Sequence, residues 1–376
     1  MGTYYCDYEN GADHPTGDGS SGNPYRSIDD VFDNKTQDVD TTIYLSGNQL
    51  EVRTSEIGSA LTGAGWSTSA NYVLTLIGVD GSSTGFDGDG SYAILSSGGS
   101  TIGINLEITN SGSNVLWSQS TGPTYATGLL NCYLHDSSSS TTPIVTSAMV
   151  GCRVENVGSG SGTYAVNANM FNCFVDCNGT NSSDYGATGS NFVGNMIVLN
   201  GSPNASQAIG LNETTDGQTM TQNTIYRATG ATKKAWGVFC PSSREALHLQ
   251  GNLIVYSDSV TGDVGVYSHR DQAYVHNCGF FNVADHVFNV SHIVGDPGLQ
   301  SVTIASNPYT STPTGTYSSW EPSSTGIDNL RGTATGSDGY NNIGADYIGA
   351  WQPAGEGGAG VVVPQGLHGI ETGIIA

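Results

Sequence analysis

Between residues 129 and 280 one short hydrophobic-polar pattern occurs seven times. An apolar residue is followed two positions later by Asn, Gly or Gln, next by Cys or Asn, and two positions on by a second apolar residue. The first column reads Leu129, Met149, Met170, Phe192, Met220, Leu249, Val275, and the second Asn131, Gly151, Asn172, Gly194, Gln222, Gly251, Asn277. The third reads Cys132, Cys152, Cys173, Asn195, Asn223, Asn252, Cys278, and the fourth Leu134, Val154, Val175, Ile197, Ile225, Ile254, Phe280. Successive copies lie 20, 21, 22, 28, 29 and 26 residues apart. A period of that size marks a solenoid, whose units bury their apolar faces only by stacking on neighbours.

The spacing inside one copy predicts strands. Side chains on one face of a strand recur every two positions, so the third and fourth columns point inward together. The first column lies three before the third, which breaks that parity and demands a corner. The second column supplies it, since Gly and Asn best tolerate a left-handed backbone; Gln222 is the exception. Each copy therefore reads as strand, tight corner, strand, then a variable loop. Helical spacing at i, i+3, i+4 and i+7 is not seen. Thr42 to Gly47, Val73 to Gly78 and Gly103 to Ile108 read as strands of earlier coils.

The predicted fold is all-β: a single-stranded right-handed parallel β-helix, with a short N-terminal capping helix and an extended C-terminal tail. Like residues then stack at about 4.8 Å, and roughly ten coils over residues 42–300 make a rod on the order of 50 Å long. The third column becomes an internal ladder, in which Asn side chains bond along the stack and free Cys packs as a small buried hydrophobe. Residues 1–41 form an N-terminal segment. Within it Ser27 caps a short helix that carries Asp29 and Asp30 in its first turn and Ile28, Val31 and Phe32 on one face. Residues 301–376 form a C-terminal cap, a Ser/Thr/Pro-rich excursion and an apolar tail from Gly355, which either lies back along the rod or docks on another chain.

Composition narrows the partners. Ten basic against thirty-three acidic residues leave a formal charge of −23, which repels nucleic acid, anionic membranes and polyanionic sugars. No run of 18 apolar residues is present, so no membrane insertion is expected. Residues 1–10 lack a basic-then-apolar secretory signal, giving an expectation of cytosolic synthesis without export. Fifty-three glycines fit a corner-rich β protein. Stacked Cys132 and Cys152 come within disulfide range in this fold, although buried free thiols are the simpler expectation. No paired C-x-x-C zinc spacing occurs and no cofactor is expected. Asp87 and Asp89 are the weak calcium candidates, read here as a turn.

The segment from Asn10 through Ile28 resembles the opening of microbial and viral right-handed parallel β-helix proteins: a Gly/Asp-rich turn, then a small-Pro-aromatic step into a capping helix. Asp296-Pro297-Gly298-Leu299 is similar to their "DPLF" step, Ser323 to Asp328 to "SPAID", and Asn342 to Tyr347 to the terminal "DIGAxE" element. The resemblance covers nearly the whole chain and implies fold more than activity. The family includes polysaccharide lyases and hydrolases as well as phage tailspikes, fibres and head decorations. The lyase arrangement of acidic residues with an Arg or Lys base, and the polygalacturonase-like motifs, are missing from this sequence.

One outward face, which changes character along the rod, carries the remaining candidates. One position past the fourth column stand His135, Glu155 and Asp176, with Arg153 beside them. Stacking sets Glu155 and Asp176 about 5 Å apart, the separation of a retaining glycosidase pair; a solvated polar face explains the same residues. Further along, Met196, Val198, Tyr226, Leu253, Val255 and Phe281 make an apolar stripe that must be covered. Its cover is either this chain's longer loops or further copies in a homotrimer. The expected function is a non-catalytic phage virion surface protein (head decoration, fibre or tailspike-like spike), assembled in the host cytoplasm. Its expected contacts are itself, other virion proteins, the major capsid protein through the tail, and a host surface glycan. The alternative is a polysaccharide depolymerase or glycan-binding protein using Glu155 and Asp176.

Overall fold

In the computed structural model the described residues form short β-strands, with one α-helix among them, Ile28–Asn34, and a 3-10 turn at Tyr317–Trp320. The structure describes residues 1–53, 72–80, 83–90, 95–97, 100–110, 116–119, 128–139, 145–159, 165–177, 183–189, 191–200, 207–213, 219–228, 230, 234–240, 247–268, 273–276, 278–288, 301–303 and 307–320. The described strands pair in parallel. The chain divides into two compact units: Met1–Gly158 with Val166–Ala168, and Ser159–Ala165 with Asn169–Ala376.

In the first unit the chain visits three sheets in fixed rotation. Gly128–Leu130 lies in the first, Tyr133–Ser139 in the second and Val145–Thr146 in the third, before Met149–Val150 returns to the first. The N-terminal strand Gly2–Asp7 joins the first sheet by pairing with Thr41–Ser46. Leu129, Leu134, Met149 and Val154 are buried to 0% exposure, and so is Trp117 of the third sheet. Each such side chain contributes about 1.5–3 kcal/mol of transfer free energy.

The second unit repeats the rotation. Asn191–Val193, Met196–Leu199 and Gln207–Glu213 are followed by Thr219–Thr221 beside the first of them. The segment between copies is thus more than a variable loop, because it holds a third strand. Gly186, Gly210, Gly237 and Gly265 stack there: a Cβ on Gly186, Gly210 or Gly237 would meet the next glycine's carbonyl oxygen at 2.5, 2.7 and 2.8 Å. The same atoms would come 2.9, 2.6 and 2.8 Å from Ile197, Ile225 and Ile254. The fourth-column isoleucines therefore fill space that a side chain on the third strand would take.

The corners behave as the second column predicts. In the first unit Asn131 and Gly151 have φ of 52° and 63°; in the second, Asn172, Gly194 and Gly251 have 53°, 68° and 62°. Gln222 turns the same way at 55°, its N–H donating to the Gln250 carbonyl at 2.8 Å, so the packed corner overrides a local preference worth about 1 kcal/mol. At Gly194 a Cβ would sit 2.3 Å from Asn172 Oδ1, so a side chain there would displace that amide. Asn105, at φ 53° with Leu106 and Ile108 buried behind it, is one more copy, with leucine in the ladder position.

The predicted helix forms on its cap. Ser27 Oγ accepts the Asp30 N–H at 3.2 Å, and Ile28, Val31 and Phe32 are buried. An unpredicted ion group holds it: the buried Arg53 guanidinium meets Asp29 at 2.8 Å and Glu51, while Glu51 accepts the Ile28 N–H at 3.0 Å. Burial raises the Glu51 carboxyl above its ordinary range despite Arg53.

Candidate functional site

All seven ladder residues are buried. In the first unit Cys132 Sγ donates to the Leu130 carbonyl and Cys152 Sγ to that of Leu129, each at 3.3 Å. These and the other five cysteines are free thiols, so no disulfide joins Cys132 to Cys152. In the second unit the asparagines form a hydrogen-bonded file. Asn195 Oδ1 accepts the Cys173 N–H at 2.9 Å. Asn223 Oδ1 accepts both the backbone N–H and Nδ2 of Asn195, at 3.0 and 2.9 Å. Asn252 Oδ1 does the same for Asn223, at 2.9 and 3.0 Å. Each Nδ2 also reaches a backbone carbonyl: Met170, Phe192 and Met220 respectively.

The outward face of the second sheet in the first unit gathers a charged network on three neighbouring strands, Glu107–Thr109, Tyr133–Ser139 and Arg153–Ser159. His135 has Glu107 Oε1 3.0 Å from Nε2 and Asp136 Oδ2 2.8 Å from Nδ1. Its ring stacks on Tyr133 at 4.2 Å, and the Arg153 guanidinium lies over the other ring, 4.6 Å from the Tyr133 centroid. Arg153 grips Glu155 at 2.6 Å, while Tyr133 donates to the same carboxylate at 3.2 Å. Burial, then the charge of Glu155, pushes the Tyr133 phenol up to about 12. Burial opposes ionisation of Asp136, but hydrogen bonds from Asn156 and His135 outweigh it and hold the carboxyl below its usual value. Hydrogen bonding to Glu155 holds Arg153 above its ordinary range.

Of the proposed catalytic trio, His135 and Glu155 thus belong to one network. Asp176 belongs to the second unit, where its Oδ1 accepts from Asn200 Nδ2 at 2.6 Å. Sequence reasoning missed Glu107, Tyr133, Asp136 and Asn156. Glu107 and Tyr133 lie between inward positions of their copies, so reading the outward positions across copies would have found them; Asp136 and Asn156 each stand two past the fourth column, where the backbone turns to φ 54° and 50°. Asp87 and Asp89 form a turn, with Asp87 Oδ1 accepting the Asp89 N–H at 2.9 Å. Among the described residues no three His, Cys, Asp or Glu are placed to hold a metal, and no helix is long and apolar enough to cross a membrane.

Of the two covers expected for the apolar stripe, the structure shows this chain's own, supplied by residues 307–320 and not by the longer loops of the coils. Met196, Val198, Leu253 and Val255 are 0% exposed and Tyr226 3%, packed with Phe174 against Tyr309 and Trp320 of the same chain. Phe281 is partly buried against this cluster. Trp320 lies 6.2 Å from Phe174 and donates its indole N–H to the Thr314 carbonyl at 2.8 Å; Tyr309 meets Tyr226 edge-on at 5.7 Å. Of these side chains all but Phe281 are interior and offer a second copy no surface. The Ser/Thr/Pro excursion, read from sequence as a loop, supplies the cover. The apolar tail and the resemblances at 296–299, 323–328 and 342–347 lie outside the described residues.

Compared with known proteins, the chain matches no family model, no curated protein and no solved structure.

Proposed function

We propose that the chain is a right-handed parallel β-helix acting as a non-catalytic surface component of a phage particle, a head decoration, fibre or spike assembled in the host cytoplasm. One observation carries the non-catalytic reading: the outward titratable groups are clasped by their own neighbours. Glu155 is held by Arg153 and Tyr133, His135 by Glu107 and Asp136, and Asp176 by Asn200. Such a network stiffens a surface and leaves it inert. The virus assignment draws on the resemblance of residues 10–28 and of the closing motifs. The tail, residues 355–376, is proposed to dock on the major capsid protein. Gold-labelled antibody against the chain should decorate intact particles; label confined to the soluble lysate would overturn the assignment.

A second reading, a polysaccharide depolymerase, is favoured by the density of acid, base and phenol groups on that one face. Comparing wild type with a Glu155→Gln, Asp176→Asn double variant on host surface glycans separates the two. Cleavage that disappears in the variant would end the structural reading.

A further inference from the structure

The N-terminal end of the first unit holds a buried charge group that neither functional reading uses. Gly2–Asp7 and Leu50–Val52 are the end strands of the first and second sheets, and side chains tie the helix Ile28–Asn34 to that end. Cys6 Sγ donates to the carbonyl of the cap residue Ser27 at 3.3 Å, Glu51 Oε2 accepts the Ile28 N–H at 3.0 Å, and Arg53 reaches Asp29 at 2.8 Å. Ile28, Val31 and Phe32 are at most 1% exposed beneath the helix. Stacked coils leave their core open at an end unless something covers it. Here the helix is the lid.

Glu51 joins the lid to the stack, Oε2 on the helix and Oε1 on Arg53. Its side chain is 11% exposed and that of Arg53 0%. One guanidinium thus serves both Glu51 and Asp29, while Asp30 in the first turn of the helix adds a third carboxylate. An enclosed carboxylate that shares its partner is costly to ionise. Burial first, then the charge of Glu51, pushes both the Cys6 thiol and the Tyr8 phenol well up. Burial likewise holds the Glu51 carboxyl above its ordinary range, with Arg53 opposing. Protonated, Glu51 still accepts the Ile28 N–H through its carbonyl oxygen, and Arg53 keeps Asp29.

We propose that the helix Ile28–Asn34 is a proton-operated lid, shut while Glu51 carries a proton and opening more often once it is ionised. An opened lid puts Glu51 in water, where a glutamate titrates at about 4.3; the closed lid holds the proton to higher pH. Closure is therefore firmest below the ordinary value and weakens as pH rises through the folded one. The opening equilibrium changes by at most about tenfold per pH unit for a single proton. The charged and titratable groups around Glu51 are Arg53 beside its own strand, Asp29 and Asp30 on the helix, and Cys6 and Tyr8 on the first strand and just after it. Despite its burial, Arg53 is held above its ordinary range by Glu51 and Asp29. Arg53, the thiol and the phenol thus all keep their protons through acid and neutral pH. The lid operates whether the chain decorates a particle or cleaves a glycan.

Hydrogen exchange of the full chain, read by mass spectrometry on a peptide covering residues 27–35, tests the lid, each rate being divided by the intrinsic rate at that pH. Protection should fall several-fold between pH 4.5 and 7.5, while a peptide covering residues 192–199 holds its value. Glu51→Gln should leave the first peptide level across that range. Protection that stays level or rises with pH in the wild type overturns the proposal, as does an equal fall in both peptides. The same fall in a folded Glu51→Gln variant also overturns it. If Glu51→Gln loses its β-sheet circular dichroism, Asp29→Asn decides. It removes a negative neighbour and gives Arg53 wholly to Glu51, so the fall must move to lower pH; an unmoved curve means that the helix is a fixed cap.

Discussion

The asparagine file joins three of the second unit's buried polar side chains in one hydrogen-bonded run. Asn223 accepts from two donors of Asn195 and gives its own Nδ2 to Phe192 and Asn252. Replacing it with Ala leaves the Asn195 N–H and the Phe192 carbonyl without those partners. Each orphaned group costs about 1–3 kcal/mol, so Asn223→Ala should lose about 3 kcal/mol or more in urea unfolding. The thiols give a second residue-level test. All seven are buried and free, so none should react with a thiol reagent in the folded protein, and all seven should react in guanidinium.

At the scale of elements, the glycine file of the third sheet and the isoleucines opposite are one packing device. Gly210→Ala would set a methyl 2.6 Å from Ile225 and 2.7 Å from the Gly237 carbonyl. Overpacking of this kind costs about 1–3 kcal/mol, seen as a lower unfolding midpoint with the slope unchanged. The segment ending in the 3-10 turn acts as a lid of fixed position. Trp320→Ala should cost about 3–5 kcal/mol and raise binding of a hydrophobic dye, since it uncovers Phe174 and its neighbours. What could be read from sequence follows the same division. The first and second sheets were legible because their inward columns are large and apolar, and the corner because Asn and Gly recur. The third sheet was not, since its inward positions include glycine, a poor strand former taken for loop. Nor was the buried Arg53 group, whose partners lie up to 24 residues away with no repeat to betray them. Of the candidate site, His135, Arg153 and Glu155 were legible as outward positions, but the contacts that Glu107 and Tyr133 make with them were not, because long polar side chains choose neighbours after the strands have paired.

For the molecule as a whole, acidity and alkalinity act on different groups of the network around His135. The Tyr133 phenol ionises near 10 in an unfolded chain and about 12 in the folded one. The folded state thus prefers the protonated phenol. Its contribution is intact below pH 10 and is lost as pH climbs through 12. Tyr133→Phe should therefore show a shallower loss of urea midpoint between pH 9 and 12 than wild type, and equal slopes would refute the assignment. Asp136 works in the opposite sense. Its depressed carboxyl stabilises the fold above the ordinary Asp range and stops doing so as pH falls through the folded value.

The amide file also has a polarity. Every Oδ1 receives donors from the ladder residue one copy earlier, so each asparagine props up its N-terminal neighbour in the file. Deleting one strands the N–H of the preceding copy but merely under-fills an oxygen in the following one, and proteins tolerate the second far better. Damage should therefore fray toward the N-terminus, as a zip opens from one end. Cys173 and Cys278 bracket the run as terminators: a thiol makes little demand for a partner, so the sequence can stop the file without leaving an unmet amide at either end.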